Sequence, residues 1–179
     1  MRIVGGHAKG RRLKVSKKGI RPTKGIVREA IFNIINPFVY DSHVLDIFAG
    51  SGALGIEALS RGAKYCVFIE KKTKALAENI AQLSMKESTH VVRADFRSGL
   101  RQLKGQQFDI IFLDPPYSKH YVEKGITIIA KQQLLRKDGI IVAEHAPEES
   151  FTVPEDYVLY KQKQYGDTCV TLLVHTKRE

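Results

Sequence analysis

The chain has 179 residues, of which 43% are hydrophobic and 27% charged, a balance typical of one soluble globular domain. A domain of this length can bury a core without disulfide bonds or structural metals, and no apolar run is long enough to cross a membrane. Cys66 and Cys169 lie in apolar, strand-like runs, so we expect buried thiols and a cytoplasmic protein. The six histidines are scattered without metal-ligand spacing, so no metal site is predicted.

The net charge of +10 is concentrated in the N-terminal quarter of the chain. Residues 1–40 carry ten basic side chains and one acidic side chain, whereas residues 41–179 are almost neutral. Such a local excess is typical of a protein that binds a polyanion, although a solvated arm that only improves solubility is the alternative. We therefore predict a basic extension over residues 1–40, packed on a core of residues 41–179.

From Val44 onward, short apolar runs alternate with helical patterns. The predicted core strands are Val44–Phe48, Tyr65–Ile69, His90–Arg93, Phe108–Leu113 and Gly139–Ala143. The predicted helices between them include Leu54–Arg61, Thr73–Met85 and Tyr121–Leu135. This alternation indicates βαβ units and an α/β fold, in which helices cover both faces of a parallel sheet.

Both ends of the chain add smaller elements to this core. Two strand-like runs, Tyr157–Gln162 and Cys169–His175, flank a Gly-Asp turn and predict an antiparallel hairpin that brings the sheet to seven strands. The glycines within Met1–Val15 indicate a small N-terminal hairpin. A helix capped by Thr23 should follow, because apolar residues recur there at helical spacing: Ile26, Val27, Ala30, Ile31, Ile34 and Ile35.

A glycine-rich loop follows the first core strand and opens a helix. Gly50, Gly52 and Gly55 fit the G-x-G-x-x-G pattern, in which missing side chains let a ligand approach the backbone. Glu70 follows Gly50 by 20 residues, where an acid that binds a ribose is expected. The pattern fits a dinucleotide, S-adenosylmethionine or a purely structural turn.

Asp46 favours S-adenosylmethionine over NAD. A carboxylate beside the loop repels a pyrophosphate but attracts the sulfonium and ammonium groups of S-adenosylmethionine, and little chain remains after residue 150 for the substrate domain of a dehydrogenase. Asp95 is expected to accept from the adenine amino group, with a helix cap as its alternative role. The predicted cofactor residues are Asp46, Phe48, Gly50, Ser51, Gly52, Gly55, Glu70, Lys71, Asp95 and Phe96.

A stiff turn, Asp114-Pro115-Pro116-Tyr117, ends the fourth core strand at the edge where open α/β sheets bind ligands. An exocyclic amino group of a base is a poor nucleophile because its lone pair is delocalised into the ring. Asp114 and the Pro115 carbonyl can each accept one N–H, which aims the lone pair at a methyl donor, and Tyr117 offers a ring on which the base stacks. We predict these four residues as catalytic; a structural proline turn is the alternative.

On these residues the chain resembles the class I, Rossmann-like methyltransferases of the Asp-Pro-Pro-Tyr group. It resembles more closely the RsmD family, bacterial enzymes that methylate N2 of a guanine in 16S ribosomal RNA. The N-terminal segments that carry the closer resemblance are Arg2–Gly6, Arg11–Leu13, Arg21–Thr23 and Val27–Asn33.

The resemblance implies a monomer that uses S-adenosylmethionine and acts on ribosomal RNA or the small ribosomal subunit. The basic extension is then the expected RNA-docking surface, through Arg2, Lys9, Arg11, Arg12, Lys14, Lys17, Lys18, Arg21 and Thr23. If it does not dock RNA, the surface near Lys119, His120 and Lys124 is the next candidate.

Three rival functions remain at this stage: an adenine-N6 DNA methyltransferase with the same turn, a dehydrogenase, and a non-catalytic RNA-binding module of the same fold. Loss of activity is disfavoured because the glycines and the proline turn are intact. Glu144 and His145 follow the fifth core strand and are further candidates for the site, although a structural role is favoured for His145.

Overall fold

The computed structural model describes residues 1–15, 25–117 and 119–176. Within these ranges the helices are α1 (Gly25–Val39), α2 (Ala53–Ser60), α3 (Lys74–Gln82), α4 (Phe96–Gln102) and α5 (Tyr121–Gln132). The strands are β1 (His43–Ile47), β2 (Tyr65–Glu70), β3 (Thr89–Arg93), β4 (Phe108–Leu113), β5 (Leu135–His145), β6 (Tyr157–Tyr165) and β7 (Thr168–His175). No helix in the described ranges is long and apolar enough to span a membrane.

The seven strands form one sheet in the order β3-β2-β1-β4-β5-β7-β6. Strands β1 to β5 pair in parallel, and β7 inserts antiparallel between β5 and β6. The strand order reverses between β1 and β4, which makes their carboxyl ends the switch point at which such sheets bind ligands. The predicted seven-stranded sheet with its antiparallel hairpin is confirmed.

Alternate residues of the central strands face opposite sides of the sheet and define two hydrophobic layers. On one side Val44 and Phe112 pack beneath α1, α2, α3 and the N-terminal segment. On the other side Leu45 and Leu113 pack beneath α4 and α5. The N-terminal segment and the α4–α5 pair therefore cover opposite faces of the same sheet.

Residues 1–15 form a tight hairpin-like loop held to α2. Arg2 and Arg12 make an isolated antiparallel bridge, and Ile3 and Leu13 are buried in the core. The carboxylate of Glu57 on α2 accepts hydrogen bonds from the backbone N–H groups of Val4 and Gly5, at 2.9 and 2.7 Å. Buried contacts and a hydrogen bond from the Arg11 side chain to the Gln82 carbonyl, at 2.7 Å, thus fix the position of this loop.

Several predicted boundaries differ from the structure. Helices α3 and α5 end earlier than predicted, where Ser84 and Gln133 take positive φ angles of 56° and 54°. Ile26 was assigned to the buried face of α1 but is 77% exposed, whereas Val27, Ile31 and Ile35 are buried as predicted. Cys66 and Cys169 are buried free thiols, as predicted, and Thr23 lies outside the described residues.

Candidate functional site

A pocket of about 1000 Å³ opens at the carboxyl edge of the sheet, over the ends of β1, β2, β3 and β4. It brings together residues that are far apart in the chain. The predicted site residues that line it are Asp46, Phe48, Gly50, Ser51, Glu70, Lys71, Asp95, Phe96, Asp114, Pro115, Pro116 and Tyr117.

The glycine loop and the acid that follows β2 are joined directly. The backbone N–H of Gly50 donates to Glu70 Oε2 at 2.8 Å, and the N–H of Lys72 donates to Glu70 Oε1 at 2.9 Å. Each carboxylate oxygen keeps a second lone pair, so the pair of bonds fixes the carboxylate while leaving it able to accept from a ligand. Gly50 has a φ of 57°, and a Cβ there would meet open space, so the loop leaves its backbone accessible.

Two of the predicted glycines do not line the pocket. Gly52 and Gly55 are buried behind the loop, and a Cβ on Gly55 would stand 2.4 Å from the Phe68 ring. Gly55 therefore lets α2 pack closely on β2. Its place in the motif reflects helix–sheet packing, the role that the third glycine of this pattern has in general.

Asp46 is almost completely buried beneath the glycine loop. Its Oδ2 accepts from the backbone N–H of Gly55 at 2.9 Å, so the carboxylate helps to shape the loop. The pKa of Asp46 is raised to about 7, chiefly by burial and in smaller part by the nearby charges of Asp114 and Glu70, against the lowering effect of the Gly55 hydrogen bond. A cation placed in this pocket would favour the ionised form.

Asp95 caps α4, as its alternative role predicted. Its Oδ1 accepts from the N–H groups of Arg97 and Ser98 at 3.0 and 3.2 Å, and these bonds, led by that of Ser98, lower the pKa of the carboxyl. A capping carboxylate that also lines the pocket can still accept from a ligand. Its expected contact with an adenine amino group stays a prediction.

Three aromatic rings form one wall of the pocket. Phe96 lies 4.9 Å from Phe48 and 5.1 Å from Tyr121 between ring centroids, and Phe48 stacks on Tyr121 at 5.7 Å. Phe48 holds this position with a φ of 64°, which is rare for a residue other than glycine. The wall offers flat apolar surface between the glycine loop and the proline turn.

The proline turn lies beside the glycine loop because β4 pairs with β1. Asp114 is half-buried and Pro115 is buried, while the ring of Tyr117 stands at the pocket surface. The hydroxyls of Tyr117 and Thr168 lie 3.0 Å apart, which ties the turn to the start of β7. The C-terminal hairpin therefore supports the ring on which a base is expected to stack.

His145 and Glu144, the two further candidates for the site, differ in their relation to the pocket. Both ring nitrogens of buried His145 are engaged, Nδ1 with the Ala146 carbonyl and Nε2 with the Thr171 hydroxyl, each at 2.8 Å. The structural role favoured for His145 agrees with these contacts. Glu144 is buried and lines the pocket near the proline turn.

The predicted RNA-docking residues that the structure describes are all exposed: Arg2, Lys9, Arg11, Arg12 and Lys14. Arg28, counted among the basic residues of the extension, is instead buried and paired with Glu57 at 3.3 Å. Burial lowers the pKa of Arg28 and the neighbouring Glu57 opposes that effect. Lys17, Lys18, Arg21 and Thr23 lie outside the described residues.

Several residues of the site depend on contacts between distant segments and were not indicated by any sequence motif. Asn79 Nδ2 donates to the carbonyls of Lys14 and Ser51, both at 2.9 Å, so one amide joins the basic extension to the glycine loop. Tyr121 and Thr168 line the pocket but stand in no motif. The only sequence feature that could have indicated Tyr121 is that it is an aromatic residue shortly after Tyr117.

A family model described as conserved hypothetical protein 95 matches residues 1–174. Ribosomal RNA small subunit methyltransferase D of Buchnera aphidicola is 38% identical, over 90% of this chain and 86% of its own length. The protein of the same name from Escherichia coli is 37% identical, over 96% and 88%. The solved structure of the Escherichia coli protein yhhF superposes with a TM-score of 0.89 at 37% identity, covering 98% of this chain and 97% of that one.

Proposed function

The chain belongs to the family described as conserved hypothetical protein 95, that of the RsmD-type methyltransferases, and on that premise we propose that it methylates a base of ribosomal RNA with S-adenosylmethionine. The observation that carries the proposal is the meeting of the glycine loop and the Asp114–Tyr117 turn in one pocket at the switch point of the sheet. Neither motif specifies the chemistry alone, but together they offer a cofactor site beside a site for an amino group.

The residues of the pocket fit S-adenosylmethionine. Open space over Gly50 leaves room for close approach to the backbone, and the volume suits a ligand of this size. In this proposal Glu70 accepts from the ribose hydroxyls and Asp95 from the adenine amino group, while Phe96 lies against the adenine. Asp46 and the backbone of Gly50 and Ser51 hold the methionine end, where the ionised carboxylate of Asp46 attracts positive charge.

When bound, S-adenosylmethionine supplies a methyl group on a positively charged sulfur. The chain's own residues act on the other partner, the amino group. Asp114 and the Pro115 carbonyl accept its two N–H groups and hold its lone pair toward the pocket, and the locked φ of proline fixes the carbonyl direction. Tyr117, braced by Thr168, supports the base ring. Asp114 then takes the proton that the alkylated nitrogen releases.

Ribosomal RNA is proposed as the substrate because two relatives carry that substrate in their names over most of this chain. The finer proposal, N2 of a guanine in 16S RNA, depends on the sequence resemblance. An adenine-N6 activity would use the same turn, so the modified base distinguishes the two.

The proposal is tested by mapping methylated nucleosides in ribosomal RNA from a deletion strain, with and without the restored gene. We expect one N2-methylguanosine in 16S RNA to disappear and return. Loss of N6-methyladenosine instead would select the alternative, and an unchanged RNA would contradict the proposal. Calorimetry with S-adenosylmethionine and NAD tests the cofactor separately; binding of NAD alone would refute the assignment.

A further inference from the structure

The sequence places almost all excess positive charge on the N-terminal extension, but the folded chain brings a second group of basic side chains to the pocket. Arg97 and Arg101 lie on the first two turns of α4, Lys119 precedes α5, and Lys124 lies in its first turn. All four are exposed, and three of them line the pocket mouth. We call these four residues the α4–α5 rim.

The cations of the α4–α5 rim are exposed and make no close ion pair within the described ranges. Among the residues that the structure describes, none of its four side chains forms an ion pair. The acids that line the pocket are buried or half-buried: Asp46, Glu70, Asp95, Asp114 and Glu144. The pKa of Asp95 is lowered chiefly by the backbone N–H of Ser98 and also by the charge of Arg101, but Asp95 is held by the backbone N–H groups of α4 and forms no close pair with Arg101. Exposed cations without a close acidic partner beside an open pocket are available to a polyanion.

Aromatic rings lie directly beneath these cations. The guanidinium of Arg97 stands 5.3 Å from the centre of the Phe96 ring. The ammonium groups of Lys119 and Lys124 stand 5.9 and 5.8 Å from the centre of Tyr121. Surfaces that hold single-stranded nucleic acid combine cations that meet phosphates with rings that meet bases. Phe96 is buried and is assigned to the cofactor, so half-buried Tyr121 is the ring of this pair that is open to a base.

The α4–α5 rim and the N-terminal extension flank the pocket from opposite sides. Val15 and Met1 of the extension line the pocket from the face of the sheet that α1 to α3 cover, and Phe96 and Tyr121 line it from the other face. We propose that one RNA strand crosses the carboxyl edge of the sheet and contacts both the extension and the α4–α5 rim. Phosphates held on both sides would present the base between them to Asp114; this inference rests on the proposed RNA substrate.

Two double variants test this surface, Arg97→Gln with Arg101→Gln and Lys119→Gln with Lys124→Gln. The matched control is Lys104→Gln with Lys131→Gln, which removes two exposed charges that do not line the pocket, one just after α4 and one in the last turn of α5. Filter binding of 16S ribosomal RNA transcribed in vitro, across a salt series, gives the slope of log affinity against log salt. Two lost phosphate contacts should reduce that slope by about 1 to 2 in each rim variant, and the control should match the parent protein.

Calorimetry and thermal melts of the same variants separate binding from damage. We expect S-adenosylmethionine affinity within a few-fold of the parent and an unchanged melting temperature. Rim variants with the slope of the control would overturn the inference, as would a loss of cofactor affinity with unchanged RNA binding. A parent protein that methylates no ribosomal RNA would instead refute the proposed function, so the two failures are distinguishable.

Discussion

At the scale of single residues, Asp46 links the pocket to the stability of the fold. An unfolded chain ionises this carboxyl near its ordinary pKa of 3.8, whereas burial raises the folded pKa to about 7. The folded state therefore keeps a proton that the unfolded state releases, and stability falls as the pH rises from about 4 to about 7. Above that window the buried charge costs on the order of 4 kcal/mol.

Replacing Asp46 by Asn should remove this cost. The amide oxygen can still accept from the Gly55 N–H, so the loop keeps its shape. We expect the free energy of unfolding to rise relative to the parent, with a gain that grows by about 2 to 3 kcal/mol between pH 5 and pH 7 and is constant at higher pH. Urea unfolding at several pH values measures it. A gain that does not change with pH would contradict the raised pKa.

Protonation of Asp46 should also change the affinity for S-adenosylmethionine. If the ionised Asp46 carboxylate attracts the positive end of S-adenosylmethionine, protons compete with the ligand. Affinity should then fall by up to about tenfold for each pH unit below 7. Calorimetry at pH 6, 7 and 8 checks this expectation. Asp46→Asn is the control, because its weaker binding should not vary with pH in this range.

Asp114 should affect turnover far more than cofactor binding. In the proposed mechanism it accepts an N–H of the target, and loss of one such oriented bond is worth roughly 3 kcal/mol, about a hundredfold in rate. Asp114→Ala should therefore lose at least that much turnover. Because the charge of Asp114 raises the pKa of Asp46, the variant should also bind S-adenosylmethionine slightly better at pH 6. Turnover equal to that of the parent would refute the catalytic role.

At the scale of elements, the extension depends on one buried carboxylate of α2. Glu57 accepts from two backbone N–H groups of the first loop and pairs with Arg28 and Arg61. Its side chain is 1% exposed, so these contacts are largely shielded from water. The carboxylate neutralises a buried guanidinium and joins the extension, α1 and α2.

Glu57→Gln should leave the buried Arg28 guanidinium without its paired carboxylate, with only the weaker influence of the Glu144 charge in its place. Breaking a buried pair in this way costs about 3 to 5 kcal/mol. Glu78→Gln is the matched control, because it breaks the exposed pair of Glu78 with Lys14 and should change stability little. Chemical denaturation compares the two variants, and limited proteolysis reports release of residues 1–15. Equal stability of the two variants would contradict the anchoring role.

The apolar runs predicted the core strands well because parallel strands that are buried on both faces need apolar residues at almost every position. The remaining errors have local physical causes. The cap at Asp95 was considered, but the extent of helix α4 was not predicted because the helix has only seven residues and contains Gly99. Strand β6 continues past Gln162 through polar residues, because pairing with β7 rather than burial extends it.

Within the site, motifs predicted the pocket-lining loop and turn, since each has its spacing within one short segment. The contacts of Thr168 with Tyr117 and of Asn79 with Ser51 join segments 51 and 28 residues apart, and no local pattern encodes them. Gly55 was assigned to the ligand, but packing against Phe68 accounts for its position. The sequence thus predicted the chemical groups of the site more fully than the contacts that hold them in place.

At the scale of the whole molecule, charge is divided between two faces of one sheet. The extension offers exposed cations on one face, and the α4–α5 rim offers them on the other, on either side of the pocket. Arg28 adds nothing to the first surface because it is paired with Glu57. A molecule of this design should bind RNA through phosphates and release counterions as it does so, which makes its affinity strongly dependent on salt.

Replacing five basic residues of the extension by glutamine tests the first surface: Arg11, Arg12, Lys14, Lys17 and Lys18. We expect weaker RNA binding and a slope of log affinity against log salt reduced by up to about 3.5. S-adenosylmethionine affinity should hold, because Arg11, Arg12 and Lys14, the three of these residues that the structure describes, do not line the pocket. Adding Lys119→Gln and Lys124→Gln should reduce the slope further by the amount lost in that pair alone, since one strand meets both surfaces. An unchanged slope in the five-fold variant would make the extension a solubility feature and leave the α4–α5 rim as the docking surface.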